Sequence, residues 1–224
     1  MKLANDPSVD YRLLVMQGYD QCAGRYGSIR KNEIEPDLAV FTDLLDEGAK
    51  VLDIGCGAGV PIARTLAKQF EVTGVDLSKE MVQLSKKNVP GGTFIHADIM
   101  EVDLPAAAFD AVVSFYTIFH IPKEHHKALF QRIHLWLKVG GYLLVTVSDE
   151  NEEPYLGEFH GVTMYWSNYG FQEYKEILIE VGFDIIQTTS VGHGYDPSHE
   201  TPEEHHPLIF AKKIDLPRQL LDDL

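Results

Sequence analysis

Three glycines and an aspartate lie close together at the end of a short hydrophobic segment, within residues 51–61. Gly55 and Gly57 can adopt backbone angles that are closed to other residues, and they let a ligand approach the main chain. The helix predicted to follow would point its free N–H groups toward the same place. Because open α/β sheets bind ligands where their strands end, this turn is predicted to hold part of a small ligand.

Asp53, two residues before the first of these glycines, distinguishes between two classes of ligand. A dinucleotide-binding turn reads G-x-G-x-x-G, whereas the sixth position here is Val60. A carboxylate would repel a pyrophosphate and attract an ammonium group, by about 1–4 kcal/mol at ~4 Å depending on screening. S-adenosylmethionine (SAM) carries an ammonium and a sulfonium but no phosphate. The turn therefore favours SAM over a nicotinamide dinucleotide.

Two more acids follow the next two hydrophobic segments. Asp76 comes after residues 71–75, and an acid there can accept hydrogen bonds from both hydroxyls of a ribose. Asp98 comes after residues 93–96, where it could accept from an adenine amino group, with Leu77 and Ile99 packing on the ring. A helix cap or a loop hydrogen bond is the alternative for Asp98. With acids at three corresponding positions, the ligand role is favoured.

The elements that must position these acids alternate between strands and helices, which predicts βαβ units around a parallel sheet. Near-continuous hydrophobic segments are typical of strands that are covered on both faces. The predicted strands are 50–54, 71–75, 93–96, 109–114, 141–147, 183–189 and 207–213, and the predicted helices include 78–87, 123–137 and 171–181.

Three regions flank or interrupt this pattern. Residues 1–45 are predicted to form a helical cap with a turn near residues 24–27, followed by a ligand-binding domain over 46–213 and a tail over 214–224. Residues 148–170 show no clear period and are predicted to form an insertion or lid, since a long loop in a compact domain is usually functional.

Composition excludes several classes of protein. Asp and Glu outnumber Lys and Arg by 34 to 19, which gives a formal net charge of −15 and disfavours nucleic acid and anionic membrane as partners. The chain has no run of 18 apolar residues and no secretory signal pattern. With two distant cysteines, Cys22 and Cys56, it is predicted to be cytoplasmic and to have no disulfide framework.

The ordered motifs resemble the class I SAM-dependent methyltransferases, specifically the group called methyltransferase type 11. Residues 51–59 match the family's hydrophobic-x-D-x-G-x-G-x-G signature, and residues 74–78 with Met81 resemble its second motif. Residues 109–114 and 137–143 resemble its fourth strand and the turn into its fifth. The resemblance implies a Rossmann-like α/β fold with helices on both faces of a seven-stranded sheet, in the order 3-2-1-4-5-7-6 with the last strand antiparallel.

The resemblance also implies a set of site residues. Those expected to bind SAM or the product S-adenosylhomocysteine (SAH), from the methionine part to the adenine, are Asp53, Gly55, Cys56, Gly57, Ser114, Phe115, Asp76, Leu77, Met81, Ala97, Asp98 and Ile99. Tyr19 and Tyr26 match the N-terminal segment with which the family often closes over the cofactor, although packing of the cap would explain them equally well.

Methyl transfer mainly requires alignment of the acceptor with the methyl group, so a catalytic base is harder to predict than the cofactor site. His120, after the fourth strand, is the predicted base, because its ordinary pKa suits proton transfer near neutral pH. The alternative is that His120 orders its loop through hydrogen bonds. Tyr116, His120, Tyr165 and Trp166 are predicted to contact the acceptor, with simple packing as the alternative for the aromatic residues.

The acceptor is predicted to be a small molecule. The chain lacks the D/N-P-P-Y/F motif of amino-methylating DNA enzymes and the Pro-Cys pair of cytosine-C5 enzymes. The histidines of residues 191–206 are predicted to lie in a solvated loop, so no metal is expected. A monomer or a homodimer is expected. The alternative functions are an NAD(P)-dependent oxidoreductase and a catalytically silent SAM-binding module.

Overall fold

A computed structural model describes residues 2–3, 10–29, 35–192 and 205–215. The helices within these residues are α1 (Tyr11–Ile29), α2 (Glu35–Thr42), α3 (Ile62–Leu66), α4 (Lys79–Asn88), α5 (His126–Trp136) and α6 (Phe171–Val181). The strands are β1 (Lys2–Leu3), β2 (Lys50–Ile54), β3 (Glu71–Asp76), β4 (Thr93–His96), β5 (Phe109–Ser114), β6 (Leu137–Thr146), β7 (Glu152–Phe159), β8 (Val162–Asn168), β9 (Phe183–Gly192) and β10 (His205–Lys213). Short 3-10 turns occupy Ile118–His120 and Lys123–His125.

Seven strands form the central sheet, in the order β4-β3-β2-β5-β6-β10-β9. The first five in this order are parallel, and β10 runs antiparallel to both β6 and β9. Counted along the chain, this is the predicted order 3-2-1-4-5-7-6, so the predicted fold class is confirmed.

Burial explains why the sheet strands read as hydrophobic runs. Leu52, Val112 and Leu143 are fully buried in the central strands, because helices cover both faces of the sheet. Helix α4 begins at its N-cap Ser78, whose hydroxyl accepts a hydrogen bond from the N–H of Met81. These elements bring the ends of β2, β3, β4 and β5 to one edge of the sheet.

The first helix differs from its prediction. The sequence predicts a turn near residues 24–27, but α1 continues through them to Ile29, so that prediction is wrong. The helix packs on β8 and α4, with Cys22 and Ala23 buried in these contacts. Gly18 lies so close to β8 that a Cβ there would be 2.8 Å from the sulfur of Met164. Packing of this kind overrides the low helix propensity of glycine.

Residues 148–170 contain a β-hairpin, where the sequence predicted an aperiodic insertion. Strands β7 and β8 pair antiparallel, and β1 adds to the edge of β7. His160 and Gly161, at the turn, have φ values of 49° and 79°, as a two-residue type I′ hairpin turn requires. Met164 and Tyr165 are consecutive and both buried, so the alternation that would reveal the strand is hidden.

Candidate active site

A cleft lies between α1 and the carboxyl ends of β2 to β5, with an empty volume of about 790 Å³ that includes open solvent. Residues predicted from sequence that line it are Tyr19, Tyr26, Gly55, Gly57, Asp76, Leu77, Met81, Ala97, Asp98, Ile99, Phe115, Tyr116 and His120. The predicted cofactor and acceptor residues are thus largely brought together at one place.

The other predicted residues lie behind this lining. Asp53 and Ser114 are each 1% exposed at the ends of adjacent strands, and the Ser114 hydroxyl has no hydrogen-bond partner among the described residues. Cys56 is buried within the glycine turn, and burial raises the pKa of its thiol. Tyr165 and Trp166 stand on β8, outside the cleft lining.

The glycine turn has the backbone geometry that its sequence predicted. Gly55 has a φ of 67° and Gly57 a φ of 52°, both in the left-handed region that disfavours side chains. A Cβ at Gly55 would lie 2.0 Å from the hydroxyl oxygen of Thr117. That hydroxyl is within 3.1 Å of the carbonyl of Ile54, so Thr117 packs the turn against the end of β2.

Asp76 ends β3 and lies directly against the glycine turn. One of its carboxylate oxygens accepts the N–H of Gly57 and the other accepts the N–H of Ser78, each at 2.8 Å. Burial raises the pKa of Asp76 to about 6, although these two N–H groups act in the opposite direction. At pH 7 the group is therefore mainly a carboxylate, with oxygen lone pairs left to accept from a ligand.

Asp98 makes a loop hydrogen bond, the alternative role given for it above, and an ion pair that the sequence did not predict. One carboxylate oxygen accepts the N–H of Met100 at 2.8 Å, and the other pairs with the guanidinium of Arg12 at 3.1 Å. The same guanidinium contacts Glu101. Arg12 belongs to α1, so an ion pair joins the cap to the end of the cleft where adenine is expected.

His120 is held from both sides. Its Nδ1 lies 2.8 Å from the carbonyl oxygen of Tyr165, and its Nε2 lies 2.8 Å from the hydroxyl of Tyr19. A carbonyl only accepts, so Nδ1 carries the hydrogen and Nε2 of the neutral ring accepts from the tyrosine. Burial lowers the pKa of His120 to about 4, which keeps the ring neutral at pH 7. The near-neutral pKa on which the prediction of a catalytic base depended is therefore wrong, and the ring is a weaker base than the sequence suggested.

Aromatic rings surround this histidine. The Tyr19 ring centroid lies 5.4 Å from that of His120 and 5.9 Å from that of Phe159, and the Trp166 ring centroid lies 5.6 Å from that of His120. Tyr26 contacts both Tyr19 and Phe159. Aromatic rings from α1 and from the β7–β8 hairpin thus surround His120. They form an apolar wall near Nε2, the ring nitrogen that can accept a proton.

Comparison with known proteins gives consistent results. A family model described as "Methyltransferase domain" matches residues 51–141. Phosphoethanolamine N-methyltransferase of Plasmodium falciparum is 29% identical over 205 residues, covering 83% of this chain and 76% of that protein. Phosphoethanolamine N-methyltransferase 3 of Arabidopsis thaliana is 33% identical over 65% of this chain, but the match spans only 31% of that longer protein.

A solved structure extends the comparison to nearly the whole chain. The 1,6-didemethyltoxoflavin-N1-methyltransferase of Burkholderia thailandensis superimposes with a TM-score of 0.71 at 22% identity, covering 95% of this chain and 94% of that one. The chain belongs to the class I SAM-dependent methyltransferases. The finer assignment to the type 11 group stays a prediction.

Several lining residues of this methyltransferase were missed by sequence reasoning, namely Tyr11, Arg12, Val15, Val75, Met100, Thr117 and Ile121. Val75 and Met100 adjoin predicted residues, so a wider window around each motif would have included them. Arg12 is 86 residues from its partner Asp98, and nothing in the local sequence indicates that pairing.

Two kinds of feature are absent from the described part of the methyltransferase. No group of three or more His, Cys, Asp or Glu side chains within it is placed to hold a metal ion. No helix within it is both long and apolar enough to cross a membrane. Most of the histidine-containing loop over residues 191–206 and most of the predicted tail lie outside the described residues.

Proposed function

We propose that the protein transfers the methyl group of SAM to a small-molecule acceptor and releases SAH. The observation that carries the proposal is the position of Asp76, a half-buried carboxylate that lines the cleft and is bonded to the N–H of Gly57 in the glycine turn. One ligand could therefore donate its hydroxyl hydrogens to the carboxylate and contact the backbone of the glycine turn. Membership of the methyltransferase family supports the same conclusion.

The residues present fit SAM. Asp53, Gly55, Gly57, Ser114 and Phe115 would hold the methionine part, and the buried Ser114 hydroxyl offers an unused polar group there. Asp76 would accept from the ribose hydroxyls. At the adenine end, Asp98 would share its carboxylate between the adenine amino group and Arg12, with Ala97 and Ile99 beside the ring.

The charges of the cleft disfavour a dinucleotide. The charged residues among its described lining are Asp76, Asp98 and Arg12, and the arginine is already paired with acids. A pyrophosphate at the glycine turn would face the carboxylate of Asp76, which accepts a hydrogen bond from that turn, whereas the ammonium and sulfonium of SAM would be attracted to it. This distribution supports a methyltransferase over an NAD(P)-dependent oxidoreductase.

When bound, SAM supplies an electrophilic methyl group with a neutral leaving group. The residues of this chain would position the acceptor and exclude water, since α1 lies over the cleft and the β7–β8 hairpin packs against α1. His120 and Tyr19 provide a route for the acceptor's proton. The acceptor would give its proton to the Tyr19 oxygen as the tyrosine proton moves across the 2.8 Å contact to Nε2, leaving the charge on the imidazole. The Nδ1–H of His120 stays hydrogen-bonded to the Tyr165 carbonyl, and this bond stabilises the imidazolium.

A small acceptor is supported by the lining of the site and by the names of related proteins. The lining is largely apolar and aromatic, with Arg12 as its one cationic residue among those described, which suits a small molecule better than an anionic polymer. The relatives act on phosphoethanolamine and the solved structure holds 1,6-didemethyltoxoflavin, which are small molecules of different chemistry.

Calorimetry with SAM and SAH, followed by transfer of a labelled methyl group to a panel of small acceptors, tests the proposal. We expect micromolar binding of both compounds and labelled product with at least one acceptor. Binding of a nicotinamide dinucleotide in place of SAM would contradict the assignment. Cofactor binding without turnover across the panel would instead indicate a silent SAM-binding module.

A further inference from the structure

Asp20 makes two hydrogen bonds that reach from the cap to the cofactor-binding strand end. Its carboxylate oxygen accepts the hydroxyl hydrogen of Ser78 at 2.5 Å and the N–H of Glu80 at 3.2 Å. Both donors belong to the start of α4, 58 and 60 residues away in sequence. A carboxylate at a helix N-terminus also interacts favourably with the helix dipole.

Ser78 connects this contact to the residue proposed to bind ribose. Its N–H donates to Asp76 at 2.8 Å, while its hydroxyl accepts from the N–H of Met81 at 3.1 Å. Asp76 in turn accepts from Gly57. A continuous hydrogen-bonded chain therefore runs from α1 through Ser78 and Asp76 to the glycine turn.

The neighbouring residue on α1 reaches the opposite wall. Tyr19 contacts His120, which follows β5, whereas Asp20 contacts the segment that follows β3. Two consecutive residues of one helix thus join both sides of the cleft. A movement of α1 away from the Ser78 segment would also move the Tyr19 hydroxyl away from His120.

We propose that Asp20 is a positioning residue that clamps α1 over bound cofactor and thereby sets Tyr19 against His120. This inference rests on the proposed function, because it assumes that the cofactor occupies Asp76. Ser78 already donates to both Asp76 and Asp20, so a ligand bonded to Asp76 would stabilise the arrangement that holds both donors on Asp20. Cofactor binding and closure of the cap would then be coupled, and the cofactor would leave only after α1 releases Ser78.

SAH binding and hydrogen exchange on the full chain test the clamp, with Asp20→Ala compared with the parent. We expect the SAH dissociation constant to rise about tenfold, mainly through faster dissociation, as loss of a charge-assisted hydrogen bond predicts. Exchange of the amides of α1 should slow on SAH addition in the parent and change little in the variant. Asp20→Asn, whose amide oxygen still accepts both hydrogens, should restore most of the affinity.

Gln21→Ala is the matched control, because Gln21 is the next residue of α1 and its side chain is exposed. An Asp20→Ala protein that binds SAH and protects α1 as the Gln21→Ala protein does would overturn the inference. Should Asp20→Ala fail to fold, Asp20→Glu keeps the charge but displaces it by one methylene, and parental affinity in that variant would count against the clamp.

The two proposals fail differently. Absence of SAH binding by the parent would contradict the proposed function. Exchange without ligand tests the clamp separately, since α1 should exchange faster in Asp20→Ala than in Gln21→Ala whether or not SAH binds. Equal exchange in those two ligand-free variants would contradict the clamp alone.

Discussion

The hydroxyl of Tyr19 and Nε2 of His120 lie 2.8 Å apart, although 101 residues separate them in sequence. The tyrosine belongs to the cap helix and the histidine to the turn after β5. The Tyr165 carbonyl fixes the other ring nitrogen, so the histidine presents its lone pair to the tyrosine. The predicted roles of His120 as base and as loop organiser are therefore compatible, because one set of bonds serves both.

Replacing His120 with Ala should lower turnover more than it lowers cofactor affinity. We expect kcat to fall about 10²-fold or more, the usual loss when a proton acceptor is removed. The dissociation constant for SAH should rise by no more than about fivefold, which corresponds to one neutral hydrogen bond. The rate of SAH formation with a productive acceptor and calorimetry with SAH give the two quantities.

Two further variants make this result specific. Tyr19→Phe keeps the ring against Phe159 but removes the hydroxyl, so it should reproduce the loss of turnover. His125→Ala changes an exposed histidine near the same turn and should behave as the parent. Equal turnover in His120→Ala and His125→Ala would remove His120 from the mechanism.

Replacing Asp76 with Ala should weaken SAM binding by about 1–3 kcal/mol, because hydrogen bonds from ligand hydroxyls to a carboxylate would be lost. The change also removes the acceptor of the Gly57 and Ser78 N–H groups, so the glycine turn should loosen. Calorimetry measures the affinity. Asp43→Ala is the control, because Asp43 is exposed and lies before the amino end of β2, whereas the cleft is at the carboxyl end of that strand. Unchanged affinity in Asp76→Ala would contradict the ribose assignment.

The free energy of unfolding should decrease as the pH falls from 7 to 5. Burial lowers the pKa of His120 and of His126 to about 4 from an ordinary 6.5, so between these values the unfolded chain binds more protons than the folded one. Stability is then lost as the pH falls below 6.5. Asp76 acts oppositely, because its raised pKa of about 6 lets the folded state bind a proton first.

Two histidines against one aspartate leave a net loss of about 2 kcal/mol between pH 7 and pH 5. Urea denaturation at the two pH values measures it. Asp76→Asn removes the opposing contribution, so its stability should fall more steeply than that of the parent. A parent that is more stable at pH 5 than at pH 7 would show that the buried histidines are not kept neutral by the fold.

The sequence predicted the parts of the site that depend on local pattern. Asp53, Asp76 and Asp98 each follow a hydrophobic segment, and parallel strands bring such strand ends to one edge. The positive φ values of Gly55 and Gly57 follow from the need for a tight turn between strand and helix. Such features depend only on neighbouring residues, so the order of residue types along the chain is enough to predict them.

The contacts that close the site depend on distant residues. Arg12 with Asp98 and Tyr19 with His120 each join α1 to a strand end, across 86 and 101 residues. Neither pair shows a spacing that could predict it. The β7–β8 hairpin was missed for a different reason. Buried residues such as Met164 and Tyr165 lie on both faces of the hairpin, one of which α1 covers, so its sequence lacks the alternation that predicts a strand.

Gly55→Ala should damage both stability and cofactor binding, because two penalties act at one Cβ. The φ of 67° costs a side-chain-bearing residue about 1–2 kcal/mol. The added carbon would also lie 2.0 Å from the Thr117 hydroxyl oxygen, and displacing that side chain should cost about 1–3 kcal/mol more. Gly91→Ala is the matched control, since its Cβ would meet no heavy atom within 4 Å and its φ is not positive. Urea denaturation should therefore show a loss of several kcal/mol for Gly55→Ala and little change for Gly91→Ala. A loss for Gly55→Ala as small as that for Gly91→Ala would mean that the glycine turn tolerates a side chain.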